Sequence, residues 1–260
     1  MNSKYNEIVD MKLLIDIGNT RIKSALLTHD LTQHHALSHQ GLTAEQLQTE
    51  LLQRYGAVDA VWISNVAGIE AATRITQAVQ RVWQIDPVFV TTAATHGEVR
   101  NAYPQPEKLG VDRWLCLLAT HALKTGSQVN LVVSIGTAMT LDAISEDGQH
   151  RGGLIVPGPQ MMVNSLLKNT SDIAAHSADG QINRDSSDAF FANNTLGAIH
   201  QGADRACVAL IESAFRHLGI NESTKVLITG GAAHRIVPLL GIPVKEVPDL
   251  VLHGLAVMAR

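Results

Sequence analysis

The chain has 260 residues, of which 45% are hydrophobic and 17% are charged. This balance is typical of a globular protein with a buried core, and it excludes an intrinsically disordered chain. The net charge is −4, and only 4% of the residues are aromatic. Such a sequence lacks the basic surface and the aromatic–basic interleaving of nucleic-acid-binding proteins, and it does not favour an anionic membrane as a partner.

Cysteine usage and the lack of long apolar runs bear on location. Cys116 and Cys207 lie far apart and form no CxxC motif, so neither a zinc site nor a disulfide framework is predicted. Residues 1–10 are polar, unlike a signal peptide, and no stretch approaches the roughly 18 apolar residues of a membrane span. We therefore expect a cytoplasmic protein in which residues 1–10 precede the folded domains.

Hydrophobic periodicity predicts strands and helices along the first half of the chain. A buried strand at 12–17 is followed by a tight turn at 18–20 and by a second strand that alternates its faces. Strands are predicted at 12–17, 21–28, 31–38, 58–64 and 87–91, and helices at about 43–54 and 69–83.

The second half begins with a copy of this pattern. LVVSIGTAMTLDAI (131–144) aligns with LLIDIGNTRIKSAL (13–26), which places Ser134 over Asp16. A repeat at this scale indicates two duplicated α/β domains related by a pseudo-twofold axis. We expect the domains to span residues 11–118 and 119–260, with a cleft between them. Further elements of this half are predicted at 150–156, 195–217 and 225–229.

The turn after the first strand is a candidate phosphate-binding loop. The strand delivers the carboxylate of Asp16, which can hold a magnesium ion or its water, and Gly18 lets a phosphate approach the backbone amides. An ordinary hairpin turn is the competing interpretation, because Gly-Asn is common in such turns. Two further glycine loops, 136–137 and 230–231, favour a nucleotide held at its phosphates by the first two loops and near its base by the third. Neither GxxxxGK[ST] nor GxGxxG occurs.

A second candidate site opens the helical stretch that begins near Leu109. The spacing alone favours Asp112 as a carboxylate that caps the first turn of this helix. The pair of Asp112 and Arg113 could instead accept a proton from a substrate hydroxyl and steer an anionic substrate group. The twelve histidines show no metal-ligand spacing and are predicted to be structural or exposed.

Six segments resemble, in the same order, those of type III pantothenate kinases. They are DIGNTRIK (16–23), Tyr103 followed by PEKLGVDRW (106–114), SIGTAMTLD (134–142), GGLIVPG (152–158), NTLGAIHQG (194–202) and LITGGAA (227–233). The resemblance extends over nearly the whole chain from Met11. It implies the α/β fold of the actin-like ATPase superfamily, with two duplicated ribonuclease-H-like domains and a nucleotide cleft between them.

The resemblance also implies a reaction, the ATP-dependent phosphorylation of pantothenate to 4′-phosphopantothenate in the first step of coenzyme A biosynthesis. Asp112 would accept the proton of the substrate hydroxyl, Asp16 would lie near Mg²⁺, and the enzyme would be a homodimer with the pantothenate site completed across the interface. The residues expected to bind ATP are Asp16, Ile17, Gly18, Asn19, Thr20, Arg21, Ile22, Lys23, Gly136, Thr137, Gly230 and Gly231. Those expected to bind pantothenate are Tyr103, Gly110, Val111, Asp112, Arg113 and Thr195.

One position departs from the family pattern. The family has an aspartate at the start of the second block, where it helps to bind a monovalent cation, and this chain has Ser134. We therefore expect the K⁺ or NH₄⁺ site to be weakened, unless Asp142 on the outgoing strand of the same hairpin supplies the missing charge.

Competing functions stay open at this point. A non-catalytic accessory or regulatory protein on the same scaffold would be expected to lose Asp112 or the first loop, and this chain keeps both. A kinase of a different hydroxylated metabolite is a second candidate, and an actin-like ATPase is a third. The compact length, with no large inserted subdomain, argues against the actin and chaperone relatives.

Overall fold

The computed structural model describes residues 10–169, 190–219 and 223–260, which form two compact units. The first unit comprises the chain up to Leu123 together with Asp249–Arg260, and the second comprises Lys124–Pro248. The sequence-based division between 118 and 119 falls inside a helix that continues to Ala122, so the structural division comes in the loop after that helix. Of the predicted extension, residues 1–9 lie outside the described residues.

Five strands of the first unit form one sheet in the order β3-β2-β1-β4-β5. They are β1 (Lys12–Ile17), β2 (Arg21–Leu27), β3 (Leu31–Ser38), β4 (Ala60–Asn65) and β5 (Val88–Phe89). β1 and β2 form an antiparallel hairpin, whereas β1 and β4 are parallel. β1 is the central strand, and its apolar run is buried on both faces, which is typical of a strand in the middle of an α/β sheet. A two-stranded sheet of β6 (Thr95–His96) and β7 (Val99–Arg100) follows.

Three helices of this unit are α1 (Ala44–Glu50), α2 (Ile69–Trp83) and α3 (Val111–Ala122). α1 begins with a capping box in which the side chains of Thr43 and Gln46 each accept a hydrogen bond from the other's backbone amide. It is shorter than predicted, because the chain tightens into a 3₁₀ turn that buries Leu52. α1 and α2 pack together over one face of β1. A second 3₁₀ turn at Pro106–Lys108 precedes α3.

The second unit has the same strand order, β10-β9-β8-β11-β12. Its strands are β8 (Val129–Ile135), β9 (Ala138–Ser145), β10 (His150–Pro157), β11 (Thr224–Thr229) and β12 (Lys245–Glu246). β8 forms an antiparallel hairpin with β9 and pairs in parallel with β11, as β1 does with β2 and β4. The strand order therefore shows the duplication that the aligned segments predicted.

Three helices accompany this sheet: α4 (Pro159–Asn169), α5 (Thr195–Leu218) and α6 (Ala233–Ile236). Asn194 caps the long α5 by accepting a hydrogen bond from the amide of Gly197 at 2.7 Å. The apolar side of α5 joins the core formed by β8, β9 and β11. A 3₁₀ turn at Val237–Leu239 follows α6. Within the described ranges, no helix combines the length and the hydropathy that crossing a membrane requires.

The C-terminal helix, α7 (Leu250–Ala259), belongs to the first unit and not to the second, where the sequence-based division placed it. Its Gly254 lies so close to α3 that a Cβ atom there would be 2.1 Å from the carbonyl oxygen of Leu115. This close approach lets α3 and α7 bury Leu252 and Leu255 against the first unit. An apolar helix carries no local signal of which sheet it will cover, so sequence continuity was misleading here.

Candidate active site

The first candidate phosphate loop is the turn that joins β1 to β2. The amide of Gly18 donates to the carbonyl oxygen of Arg21 at 3.0 Å. A Cβ atom on Gly18 would lie 3.3 Å from that oxygen, so the closed turn favours glycine. Asn19 and Thr20 are exposed at the tip, where a ligand can approach the backbone.

The residues on either side of this turn differ in what they can offer a ligand. Ile17 and Ile22 pair across the hairpin and are each only 1% exposed, so their side chains belong to the core. Arg21 is exposed. The isoleucines therefore support the loop through packing, while the exposed residues and the backbone are available to a phosphate.

Asp16 holds a carboxylate at the end of β1. It lies opposite Lys23 on β2 and beside Ser64 on β4. Burial, and then the charge of Asp112, raises the pKa of Asp16 to about 7, while the positive charge of Lys23 acts in the opposite direction. Asp16 Oδ1 is enclosed by protein and has no hydrogen-bond partner among the described residues, and the same holds for the hydroxyl of Ser64. The negative charge of the Asp16 carboxylate is therefore only weakly offset by nearby hydrogen-bond donors and positive groups.

Lys23 is held by a carboxylate from the C-terminal segment. Its Nζ donates to Asp249 Oδ1 at 2.9 Å, and the other oxygen of Asp249 lies 3.0 Å from Nδ1 of His34. Burial would raise the pKa of Asp249, but Lys23 and His34 outweigh it and hold the pKa below its ordinary value. Asp249 also has a left-handed backbone with φ of 53°, which is uncommon for a residue other than glycine.

The surroundings of Asp16 fit a divalent cation. An enclosed carboxylate oxygen without a donor, with a second carboxylate near enough to raise its pKa, favours a hard positive ion. Among the described residues, no group of three or more His, Cys, Asp or Glu side chains could hold a metal. Mg²⁺ commonly takes one or two carboxylates and fills its other positions with waters and substrate phosphates. Asp16, with Asp112 nearby, matches that requirement.

The start of α3 carries Asp112. Its Oδ1 accepts a hydrogen bond from the amide of Arg113 at 2.9 Å, so the helix-end role predicted from spacing is present. A Cβ atom on Gly110 would lie 2.7 Å from that same oxygen, and glycine therefore leaves the room that this carboxylate occupies. Val111 is the first residue of the helix. The helix-end contact does not exclude catalysis, because Asp112 also lies close enough to Asp16 to raise its pKa.

Arg113 and Tyr103 form a pair beside this helix start. The guanidinium Nη1 of Arg113 donates to the hydroxyl of Tyr103 at 3.1 Å, and the Cζ atom of Arg113 lies over the tyrosine ring, 5.7 Å from its centroid. The amide of Tyr103 donates to Asn101 Oδ1 at 3.0 Å, which fixes the loop that carries the tyrosine. Arg113 is only 5% exposed, so it offers a ligand little surface.

The predicted substrate residues fall into two groups. Tyr103 and residues 110–113 come together in the first unit, which also holds the first candidate phosphate loop. Thr195 is the first residue of α5 in the second unit. The structure therefore assembles five of the six predicted pantothenate residues in one unit.

The second candidate phosphate loop joins β8 to β9 and is braced by glycine. The amide of Gly136 donates to the carbonyl oxygen of Ala138, and the amide of Gly158 donates to that of Thr137, both at 2.9 Å. A Cβ atom on Gly158 would lie 2.1 Å from the carbonyl oxygen of Gly136, so the approach of these two segments requires glycine.

The loop after β11 meets the same end of β8. Gly230 has φ of 102°, and a Cβ atom there would lie 2.3 Å from the carbonyl oxygen of Ile135. That oxygen also accepts a hydrogen bond from the amide of Ala232 at 3.0 Å. Gly231 between them is exposed. The structure thus brings residues 136–137 and 230–231 together at one end of the sheet.

The position of Ser134 does not fit the charged cation site of the family. Ser134 pairs across the sheet with Thr140 and Thr229, whose side chains are neutral. Asp142, considered as a replacement carboxylate, lies 3.0 Å through its Oδ1 from Nε2 of His150, and both side chains are buried. Asp142 is therefore committed to a buried contact with His150.

Several residues that shape the site escape prediction from the sequence. Gly158 lies in a Pro-Gly-Pro segment after β10, and nothing in the neighbouring sequence predicts its close approach to the backbone of Gly136. Asp249 contacts Lys23 from the C-terminal segment, and Ser64 lies beside Asp16 because β4 pairs with β1. Both partners are distant in sequence, so no local pattern indicates these contacts. His39, which contacts the first loop, is one scattered histidine among twelve. Its position just after the third predicted strand was the one available clue.

The chain is similar in sequence to known proteins. A family model described as type III pantothenate kinase matches residues 12–217. A type III pantothenate kinase from Nitrosococcus oceani is 37% identical over 256 residues, covering 96% of this chain and 94% of the relative.

Solved structures extend the likeness to the fold. A Campylobacter jejuni protein described as a Baf family transcriptional activator superposes with a TM-score of 0.58 at 18% identity, covering 95% of this chain and 97% of the other. A Sinorhizobium meliloti protein described as a 2-dehydro-3-deoxygalactonokinase also has a TM-score of 0.58, at 13% identity, covering 96% and 98%. At such low identity these structures show the fold alone, which is the actin-like ATPase and sugar kinase fold.

The predicted fold class is therefore confirmed, and so is the resemblance seen in the six segments. The family model covers most of the chain, and the curated relative matches it over nearly its whole length. Together with the two glycine-bearing hairpins and the Asp16–Asp112 pair, these matches show that the chain belongs to the type III pantothenate kinase family.

Proposed function

We propose that this protein transfers the γ-phosphoryl group of ATP to the primary hydroxyl of pantothenate and yields 4′-phosphopantothenate, the first step of coenzyme A biosynthesis. The observation that carries the proposal is that two carboxylates, Asp16 and Asp112, lie near enough for the charge of Asp112 to help raise the pKa of Asp16, in a chain of this kinase family. One carboxylate lies at a phosphate loop and the other at a helix start that offers a proton acceptor. Phosphoryl transfer needs both a held nucleotide and an oriented hydroxyl.

In this proposal the first unit performs the chemistry. Transfer passes through a loose transition state, so positioning and charge neutralisation matter more than covalent chemistry. When bound, Mg²⁺ supplies positive charge to the phosphates, and Asp16 would hold it directly or through water. Asp112 orients the substrate hydroxyl and accepts its proton late in the transfer. Arg113 and Tyr103 line the pantothenate site.

The second unit contributes nucleotide contacts. The amides at Gly136 and Thr137 bind ATP phosphates, and Gly230 and Gly231 lie near the base. Thr195 contacts pantothenate in a homodimer whose substrate site is completed by the partner, as the family resemblance implies. A cytoplasmic location is part of the same proposal, and the two cysteines support it, because both are buried and neither forms a disulfide among the described residues.

Two competing functions are less well supported. A regulatory protein on this scaffold would not need Asp16 and Asp112 together, and the likeness to a protein described as a transcriptional activator rests on 18% identity. A kinase of another hydroxylated metabolite shares the same phosphate loops and differs only in its acceptor. The acceptor is therefore the point to test.

The test is a coupled ADP-release assay on the purified protein with ATP and Mg²⁺, comparing pantothenate with glycerol and a panel of hexoses. We expect stimulation by pantothenate alone. Equal stimulation by glycerol or hexoses would reject the substrate and leave a kinase. No stimulation by any acceptor, with nucleotide still bound, would favour a regulatory protein.

A further inference from the structure

His39 contacts the backbone of the first candidate phosphate loop. It follows β3 directly, and its Nε2 lies 2.7 Å from the carbonyl oxygen of Gly18. A carbonyl oxygen only accepts, so Nε2 must carry the proton and donate it. The distance is short for a bond between nitrogen and oxygen. The residue is 5% exposed, and a buried imidazole requires such a partner.

The neighbours of His39 make longer contacts to the same loop. The side-chain amide of Gln40 lies 3.5 Å from the carbonyl oxygen of Asn19, at the outer limit of a hydrogen bond. The hydroxyl of Ser38 and the amide of His39 both reach the carbonyl oxygen of Thr20 at 3.4 Å. Successive carbonyl groups of the loop thus face residues 38–40.

This arrangement determines where the loop amides point. In a planar trans peptide, the N–H group points opposite to the carbonyl group of the preceding residue. Because the carbonyl group of Gly18 faces His39, the amide of Asn19 points away from His39. Likewise, the carbonyl group of Asn19 faces Gln40, so the amide of Thr20 points away from Gln40. Amides directed together out of a turn are suited to an anion such as a phosphate.

His39 is itself held in place. Its carbonyl oxygen accepts a hydrogen bond from the amide of Leu42 at 3.2 Å, and the capping box of Thr43 and Gln46 begins α1 directly afterwards. Gly41, with φ of 79°, supplies the left-handed residue that this reversal requires. The imidazole is therefore presented to the loop by a short, well-bonded connection.

We propose that His39 is a positioning residue for nucleotide binding, which orients the amides of the first loop toward the phosphates through its bond to Gly18. The inference rests on the proposed function, in which this loop binds ATP. It assigns His39 no contact with substrate and no proton transfer.

The test compares two substitutions of nearly equal length, His39→Gln and His39→Met. Glutamine can place an amide donor near the position of Nε2, whereas methionine fills the space without a donor. Binding of Mg·ADP is measured by calorimetry, together with KM for ATP and for pantothenate. His35→Gln on β3 is the control for replacing a histidine of the same segment.

We expect His39→Met to weaken Mg·ADP binding about 3- to 10-fold, the range for losing one hydrogen bond, with KM for ATP rising in parallel. KM for pantothenate should change less than about twofold, and His39→Gln should restore most of the nucleotide affinity. Equal losses in both variants, wild-type binding in His39→Met, or a parallel loss for pantothenate would each overturn the proposal.

A second measurement needs no variant. In ¹⁵N-labelled wild-type protein, the His39 ring should carry its proton on Nε2, and its resonances should shift when Mg·ADP is added. A neutral ring protonated on Nδ1 alone would overturn the proposal even if the substitutions prevent folding. If wild-type protein binds Mg·ADP but does not phosphorylate pantothenate, the proposed function fails while the role of His39 stands.

Discussion

The hairpin turns after β1 and after β8 occupy equivalent places in the two units but are built differently. The first follows Asp16 and is contacted from behind by the side chain of His39. The second follows Ser134 and is braced by glycines, since Cβ atoms on Gly158 and Gly230 would lie 2.1 and 2.3 Å from backbone oxygens of this turn and of β8. One turn relies on charged and polar side chains, the other on close backbone contact.

The comparison shows that a shared strand order leaves local chemistry free to differ. In the first unit a poorly compensated carboxylate lies beside a second carboxylate, which suits a metal ion and a proton acceptor. In the second, the equivalent residue is a neutral serine. We therefore propose a division in which the first turn carries the charge-dependent chemistry and the second contributes backbone contacts.

Asp16→Asn should give the largest effect and should act in opposite directions on activity and on stability. Magnesium-dependent ATP use should fall sharply, because the proposed ligand is lost. Without metal or nucleotide, the variant should be more stable than the wild type at pH 8, since the buried charge is removed.

The pH dependence of this stability difference follows from the raised pKa of Asp16, about 7 against an ordinary 3.8. Below about pH 3 the carboxyl group is protonated in both folded and unfolded chains and costs nothing. Between the two pKa values the unfolded chain loses its proton first, so wild-type stability falls by up to roughly 4 kcal/mol. Urea unfolding of both proteins between pH 5 and 8 measures the difference. A difference independent of pH, or a wild type more stable at pH 8, would contradict this account.

Asp112→Asn should lower kcat by about 100-fold or more, the usual scale for a general base, with little effect on the melting temperature. Steady-state kinetics and thermal unfolding check both parts. Glu70→Gln, which removes a carboxylate from the first turn of α2, is the matched control and should leave kcat unchanged. Near-normal turnover with a lowered melting temperature would leave Asp112 only its helix-end role.

Gly158→Ala tests the glycine brace of the second turn. The added methyl group would meet the backbone of Gly136, so the turn must shift at a cost of about 1–3 kcal/mol. We expect a lower melting temperature and a KM for ATP raised by about tenfold, which corresponds to a similar energy. Gly56→Ala is the control, because a Cβ atom there has no neighbour within 4 Å. Unchanged kinetics in Gly158→Ala would contradict the proposed role of the second turn in nucleotide binding.

The sequence was most informative where function depends on local pattern. Alternation and the two aligned segments predicted the hairpins that carry Asp16 and Ser134. The family resemblance suggested Asp112 as the proton acceptor, where its spacing alone favoured a helix cap, and that role stays a prediction. Long-range contacts were not predictable in the same way. The carboxylate of Asp249 reaches Lys23 from the C-terminal segment, and Gly158 lies against Gly136 because β10 pairs with β9. The division of the chain between two cores depended on such contacts as well.

Ser134→Asp should have the smallest effect, and it restores to the second turn the charge that the first turn has. Because Ser134 and its sheet neighbours are neutral, we expect the natural enzyme to show little or no activation by K⁺ or NH₄⁺ over Na⁺ at equal ionic strength. Activation of a few-fold should appear in Ser134→Asp. Strong activation of the natural enzyme by K⁺ would show that other groups supply the cation site.

Direct detection of the product tests most directly whether this protein phosphorylates pantothenate. Wild-type protein and Asp112→Asn are incubated with ATP, Mg²⁺ and pantothenate, and both ADP and phosphorylated pantothenate are quantified by ³¹P NMR and mass spectrometry. The account predicts equal amounts of ADP and 4′-phosphopantothenate with wild type, and at least about 100-fold slower formation with the variant. ADP released by the wild type without phosphorylated pantothenate would contradict it.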